Sequence, residues 1–179
     1  MACGTTVSSN VFRNASTGYF PAILINCGSY NTIDNNVFID TQVAGIDIDE
    51  GTRNPSVIKK YETDGIYHRR LKAVNYKQPP YAGRYKRIEH FMEDNMIVSR
   101  ENLAINNIFV RTRAYSLRLG FDSTKYIMPN NYFTSDENIF TNPDKGDFSI
   151  KEEIKDSLGI DFFKPVKVYT KPEYFQDKK

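Results

Sequence analysis

Hydrophobic and polar positions alternate along this chain in short bursts rather than in long helical stripes. The clearest burst is a three-residue unit: Asn, an aliphatic or aromatic residue, then Phe. It stands at Asn10-Val11-Phe12, Asn36-Val37-Phe38, Asn107-Ile108-Phe109, Asn131-Tyr132-Phe133 and Asn138-Ile139-Phe140. The first two copies begin 36 − 10 = 26 residues apart, and the third and fourth 131 − 107 = 24. Spacing of this size marks stacked repeats, in which one unit cannot bury its own apolar side and its neighbours complete the core. The preceding residues repeat as well: Thr5-Thr6-Val7-Ser8-Ser9, Asn31-Thr32-Ile33-Asp34-Asn35 and Asn102-Leu103-Ala104-Ile105-Asn106. Each stretch reads as a short strand, a polar turn and an Asn-led strand. The expected fold class is all-β: a right-handed parallel β-helix, a solenoid with a partly helical insertion and a C-terminal cap.

Asparagine at such a bend tolerates left-handed backbone angles, and stacked side-chain amides can bond one another. Asn10, Asn36 and Asn107 are the expected ladder; the plain alternative is ordinary turn asparagines. Further strands are expected at Pro21-Ala22-Ile23-Leu24-Ile25, Gly45-Ile46-Asp47-Ile48-Asp49, Ser116-Leu117-Arg118-Leu119 and Lys125-Tyr126-Ile127. In Ile46-Asp47-Ile48-Asp49 the two-residue period puts the isoleucines on one face and both carboxylates on the other, outward one.

Residues 54–100 break the repeat. Residues 55–73 are charged and weakly helical, with Ser56 as the expected N-cap of a helix through Val57, Ile58 and Tyr61. Residues 76–84 hold Pro79-Pro80 and read as an extended loop. Residues 87–96 read as a second helix with Ile88, Phe91 and Met92 on one face. Excursions of this length from a rigid scaffold often carry function. Near the end, Gly146-Asp147-Phe148-Ser149-Ile150 reads as a strand and residues 151–158 as a short helix. Within a single domain over 1–179, the segment 141–179 is the expected terminal cap.

Composition narrows the function classes. The 179 residues are 40% hydrophobic and 26% charged, which suits one soluble domain with a real core. Twelve Tyr and twelve Phe without Trp fit strands and apolar stacks, and Tyr is also common where sugars bind. A net charge of +2, with bases and acids interleaved, argues against a nucleic-acid partner. No apolar run reaches the roughly 18 residues that span a bilayer, so no membrane partner is expected. The first residues lack a basic and apolar leader. Cys3 and Cys27 have neither metal spacing nor a disulfide framework, and are expected to be inert buried thiols.

Three passages carry a resemblance. They are Asn31-Thr32-Ile33-Asp34-Asn35-Asn36-Val37-Phe38-Ile39-Asp40 with Gly45-Ile46-Asp47-Ile48-Asp49; Tyr76-Lys77-Gln78-Pro79-Pro80-Tyr81-Ala82-Gly83-Arg84-Tyr85 running on to Asn106-Asn107-Ile108-Phe109-Val110; and Gly146-Asp147-Phe148-Ser149-Ile150 followed by Gly159-Ile160-Asp161-Phe162. The chain resembles the C-terminal part of bacterial β-helix proteins of the pectin-lyase-like superfamily, in the carbohydrate-active branch with the fucosidase- and xylanase-type glycoside hydrolases. The resemblance implies a secreted or periplasmic parent that acts on a polysaccharide or oligosaccharide. It also implies further coils upstream, so the chain reads as a fragment that opens mid-coil. A partner carboxylate on the preceding coil would then fall just upstream of Met1, leaving the catalytic pair incomplete.

Glycoside cleavage uses two carboxyl groups, about 5–5.5 Å apart for retention or 6.5–9.5 Å for inversion. Residues i and i+2 of one strand are about 6–7 Å apart, which admits Asp47 and Asp49 as a pair. Asp49-Glu50-Gly51-Thr52-Arg53 resembles the family's acid-then-basic turn at a strand end, so Asp49 is the first catalytic candidate and Asp47 the second. The plain alternative is two solvated acids on an outer face. Arg53, Arg84 and Tyr85 are substrate-binding candidates, since Arg grips sugar carboxylates and Tyr stacks on sugar rings. The alternative for these three is a salt bridge and a packing aromatic that tie the insertion down. His68 and His90 are too far apart for a metal spacing, and Asp34, Asp40 and Asp47 form no recognisable Ca²⁺ set. No metal and no cofactor is expected. A glycoside hydrolase is favoured; the rivals are a non-catalytic glycan-binding or structural β-helix and a polysaccharide lyase.

Overall fold

A computed structural model describes residues 4–15, 18–49, 55–85, 90, 92–93, 99–113 and 126–167, without the side chains of Asp49, Val57, Tyr126 and Ile127. The strands are short: β1 (Thr6–Ser8), β2 (Val11–Arg13), β3 (Ile23–Asn26), β4 (Thr32–Asp34), β5 (Val37–Ile39) and β6 (Ile46–Asp49) precede the insertion. After it come β7 (Asn102–Ile105), β8 (Ile108–Val110), β9 (Tyr126–Ile127), β10 (Tyr132–Thr134), β11 (Phe140–Asn142) and β12 (Asp147–Ile150). The helices are α1 (Pro55–Tyr61), α2 (Ile66–Ala73), α3 (Tyr81–Arg84) and α4 (Glu152–Leu158).

Successive passes of the chain lie side by side in parallel. One sheet runs β1-β4-β7-β9, a second β2-β5-β8-β10, and a third pairs β3 with β6. Pairing is in register with the sequence repeat: Phe12 faces Phe38, Phe38 faces Phe109, and Phe109 faces Phe133. Their rings stack with centroids 4.9–5.1 Å apart. Beside this stack Ile25, Ile33, Ile46, Ile48 and Ala104 close one core. Gly45 enters β6 against the same rings, where an added Cβ would come 2.6 Å from Phe109.

The asparagines form the expected ladder. Asn36 Oδ1 accepts the main-chain N–H and side-chain amide of Asn10 at 3.0 and 3.2 Å. Asn107 Oδ1 takes the same two donors from Asn36 at 2.9 and 3.1 Å, and Asn131 Oδ1 those of Asn107 at 2.9 and 3.1 Å. A second, shorter ladder runs through Asn31 and Asn102, which the Phe-based repeat does not mark. The left-handed angle falls one residue earlier than expected: Ser9, Asn35, Asn106 and Asn130 have φ of 55–58°. The residue before each ladder asparagine makes the turn, which leaves the asparagine extended and its amide free to point along the stack.

This architecture corrects the expectation of an all-β right-handed parallel β-helix. Among the described residues, parallel sheets stand together with helices, at 24% helix and 28% strand, and no solenoid is detected. Two causes are visible. The segment after β6 forms helices, and the fifth repeat copy does not add a parallel strand. Asn138 and Ile139 sit in a 3-10 turn, and Phe140 begins β11, which pairs antiparallel with β12 through Phe140–Ile150. Only the 3-10 turn Pro143–Lys145 and Gly146, at φ 76°, join these two strands, and so short a link reverses the chain.

The closing segment covers a sheet face from the side. Phe140, Phe148, Ile150, Ile160, Phe163 and Val166 pack on Val37, Ile39, Ile108 and Val110 of β5 and β8. Those two strands are therefore buried on both faces. Lys164 fastens the segment, its N–H donating to Asn35 Oδ1 at 2.7 Å while its carbonyl accepts from Asn35 Nδ2. Phe133, at the end of the ring stack, stays 52% exposed. Among the described residues no helix is long and apolar enough to cross a membrane.

Candidate active site at the end of β6

The site is built on the pairing of β3 with β6, in which Leu24 neighbours Asp47 and Asn26 neighbours Asp49. Ile46 and Ile48 turn into the core, as the two-residue period requires. Asp47 lies between them in sequence and has 0% exposure. The plain alternative, Asp47 as a solvated acid on an outer face, does not hold. Leu24, its neighbour on the adjoining strand, keeps 37% exposure. A carboxylate withdrawn from water is costly unless neighbouring groups compensate. Asp49 ends the strand beside Asn26, and its side chain lies outside the described residues, as does all of Arg53.

The inserted helices fold back to the end of this sheet. Tyr61, the last residue of α1, is buried against Cys27, with Tyr67 and Leu71 of α2 around them. The Tyr61 and Tyr67 rings lie 4.5 Å apart. Burial pushes the Tyr61 hydroxyl well above the usual phenol range, and hydrogen bonds to Cys27 and Tyr67 add to the shift. The Cys27 thiol donates to Asn26 Oδ1 at 3.1 Å, which ties this cluster to the residue beside Asp49. Cys27 is buried as expected, while Cys3 lies outside the described residues.

The helical boundaries depart from expectation for local reasons. α1 starts at Pro55, so Ser56 lies inside the first turn rather than capping it. Proline's fixed φ and missing N–H suit the first helical position. Gly65 precedes α2 where a Cβ would meet the Lys60 carbonyl oxygen at 2.3 Å, so the tight link between the two helices requires glycine. The expected loop over 76–84 ends in the short helix α3. The expected helix over 87–96 and the strand at Ser116 to Leu119 lie largely outside the described residues.

Arg84 and Tyr85 close α3 and are exposed. The guanidinium lies 5.8 Å from the Tyr85 ring centroid, so the structure brings these two candidates to each other. His90 sits 3.0 Å from Glu93, which Lys77 also approaches at 3.3 Å. These contacts, led by that of His90, hold the Glu93 carboxyl below its usual range.

A charged column that the repeat spacing alone did not single out lies at another corner. Arg111 grips Asp40 with two hydrogen bonds of 2.7 and 2.8 Å and reaches Glu137 at 2.9 Å, while Arg13 also pairs with Glu137. The Arg111 guanidinium holds the Asp40 carboxyl below the usual carboxylate range. The signal was available: Asp40 and Arg111 are 71 residues apart, the same offset as Asn36 and Asn107. The column links β2, β5 and β8 to the 3-10 turn Glu137–Ile139 and sets carboxylates against the Arg13 and Arg111 guanidinium groups, an arrangement suited to fastening. No known protein family, curated protein or solved structure matches this chain.

Proposed function

We propose that the chain belongs to a carbohydrate-active protein in which the end of β6 serves hydrolysis of a glycosidic bond in a polysaccharide. The observation that carries the reading is Asp47, a carboxylate at 0% exposure on the β6 face opposite the core isoleucines. The helices that follow β6 fold back on Cys27, next to the partner of Asp49. The two-residue strand period is the reason to pair Asp49 with Asp47, at a spacing of about 6–7 Å that admits the inverting arrangement. Asp49 is the first candidate for general acid or base and Asp47 the second. Arg53, Arg84 and Tyr85 are proposed to hold the sugar chain. Substrates of this kind place the protein outside the cytoplasm, in the secreted or periplasmic space.

A binding-only reading has its own support. Tyr19 and Phe20, which lead into β3, are 88% and 61% exposed, and aromatic side chains held in water are ready platforms for sugar rings. One experiment separates the readings: incubation with a panel of neutral and acidic polysaccharides, scored for binding, reducing ends and ultraviolet-absorbing unsaturated products. Hydrolysis predicts reducing ends that fall by about 10²–10⁴-fold in Asp49→Asn, the range a general acid or base contributes. Binding without products supports the binding-only reading, and unsaturated products a lyase. Neither binding nor products on any polysaccharide overturns the carbohydrate assignment.

A further inference from the structure

Ile23 and Ile25 of β3 pack into the same core as Ile46 and Ile48 of β6. The two-residue period therefore puts positions 24, 26, 47 and 49 on the outward face of this strand pair. In register, Leu24 neighbours Asp47 and Asn26 neighbours Asp49, on strands about 4.8 Å apart. A sugar hydroxyl both donates and accepts hydrogen bonds. Ionised carboxylates only accept them, and leucine does neither. Of the four residues, Asn26 alone brings N–H donors to a hydroxyl oxygen.

The Asn26 amide is also held in one orientation. Cys27, the next residue, has a left-handed φ of 52°, which costs strain in a residue other than glycine. From that position its thiol, 1% exposed, donates to Asn26 Oδ1 at 3.1 Å. The Cys27 side chain is hydrogen-bonded in turn to Tyr61 of α1, which also meets Tyr67 of α2. With Oδ1 taken by the thiol, the end of the amide turned away from Cys27 is its NH₂ group. The inserted helices are thereby coupled, through one buried thiol, to a donor on the residue beside Asp49. On the carbohydrate reading of the β6 end, on which this step rests, we infer that Asn26 is a substrate-binding residue whose side-chain N–H donates to a hydroxyl oxygen of the bound sugar. Cys27 and Tyr61 are positioning residues that fix the amide for that contact.

The test uses the full chain and the member of the polysaccharide panel that it cleaves or, without cleavage, binds. Asn26→Ala should raise KM, or Kd for binding alone, by about tenfold, the size of one lost hydrogen bond. Uniform loss of binding leaves kcat within about twofold of the parent value. Cys27→Ala should shift KM or Kd in the same direction, and Cys27→Ser should restore it, because a hydroxyl donates to Asn26 Oδ1 as the thiol does. Asn26→Ala combined with Cys27→Ala should be no weaker than Asn26→Ala alone, since Cys27 acts through the amide. Circular dichroism checks that each variant is folded. Should Cys27→Ala not fold, Tyr61→Phe takes its place, removing the hydroxyl while keeping the ring, and should also raise KM or Kd. An active or binding parent with an unaffected Asn26→Ala overturns this inference and leaves the carbohydrate reading standing. A Cys27→Ser as weak as Cys27→Ala, or a double variant with additive losses, overturns the positioning role. A parent that neither binds nor cleaves any polysaccharide overturns the carbohydrate reading and this inference together.

Discussion

The stacked strands and the inserted helices are held to very different degrees. In the strands the repeat residues meet their own kind one pass later, Phe on Phe, Asn on Asn and Val or Ile on Val or Ile, except that Ile108 meets Tyr132 of β10. The polar groups of each turn are satisfied by the next turn, so pairing, stacking and hydrogen bonding all specify the same register. The helices α1 and α2 have no such redundancy. Their described anchor is one small cluster of Cys27, Tyr61, Tyr67 and Leu71. Neither helix repeats a neighbour, and α2 has no side-chain cap at Gly65. Redundant contacts here come from repetition, and the helices that fold back beside the partner of Asp49 are without it.

The comparison is broken most severely at the centre of the ring stack. Phe109 is buried between two rings, and Phe109→Ala should cost about 3–5 kcal/mol, the range for emptying a buried aromatic site. Urea denaturation should show a lower midpoint with an unchanged slope. Asn36→Ala is expected to come next, at about 2–4 kcal/mol, because the donors and carbonyls of Asn10, Val7 and Asp34 lose a buried partner. A near-neutral Asn36→Ala would mean that the ladder follows the register rather than stabilising it.

Tyr61→Ala probes the other region. It should release α1 and α2 locally, with alkylation of Cys27 rising at least about tenfold while the denaturation midpoint falls far less than in Phe109→Ala. If loss of Tyr61 unfolds the whole chain, the two regions are one cooperative unit. The smallest effect is expected at Asp40. Its carboxyl is held below the ordinary range by Arg111, so the pair contributes above the unfolded-state value near 3.8 and is lost as pH falls through the lower folded value. Both side chains are more than a third exposed, which limits the contribution to about 0–1 kcal/mol. Asp40→Asn should therefore flatten the acid limb of stability slightly and leave neutral stability almost unchanged.

The strand pairs were legible because the repeat is written in the side chains that pair. The 26- and 24-residue offsets match the pairing of Val11 with Val37, Phe12 with Phe38 and Phe109 with Phe133. The same pattern misled where a copy lacked a stacking partner. Asn138-Ile139-Phe140 has the full signature, yet it turns into an antiparallel pair because the short link through Gly146 brings Ile150 back beside it. The fold class was mistaken for a related reason: helices were expected over 55–73 and 151–158, but as additions to an all-β solenoid, because repeat spacing describes only the pairing strands. The candidate site was legible only as a pattern. The alternation of Ile46-Asp47-Ile48-Asp49 assigned the isoleucines to the core correctly and the carboxylates to the opposite face, but carried no sign that Asp47 is buried there.

What this sequence determines by itself is which residues stand next to one another within a sheet, since strand period and repeat spacing are local and each pass copies the last. Only the tertiary structure decided what covers the outward faces. Phe163 and Val166 settle on the far side of β5, Tyr61 closes over Cys27, and Asp47 is withdrawn from water. Those contacts join segments that share no repeat, and they form because exposed apolar faces on both partners lose water together. No periodicity in either segment records the other.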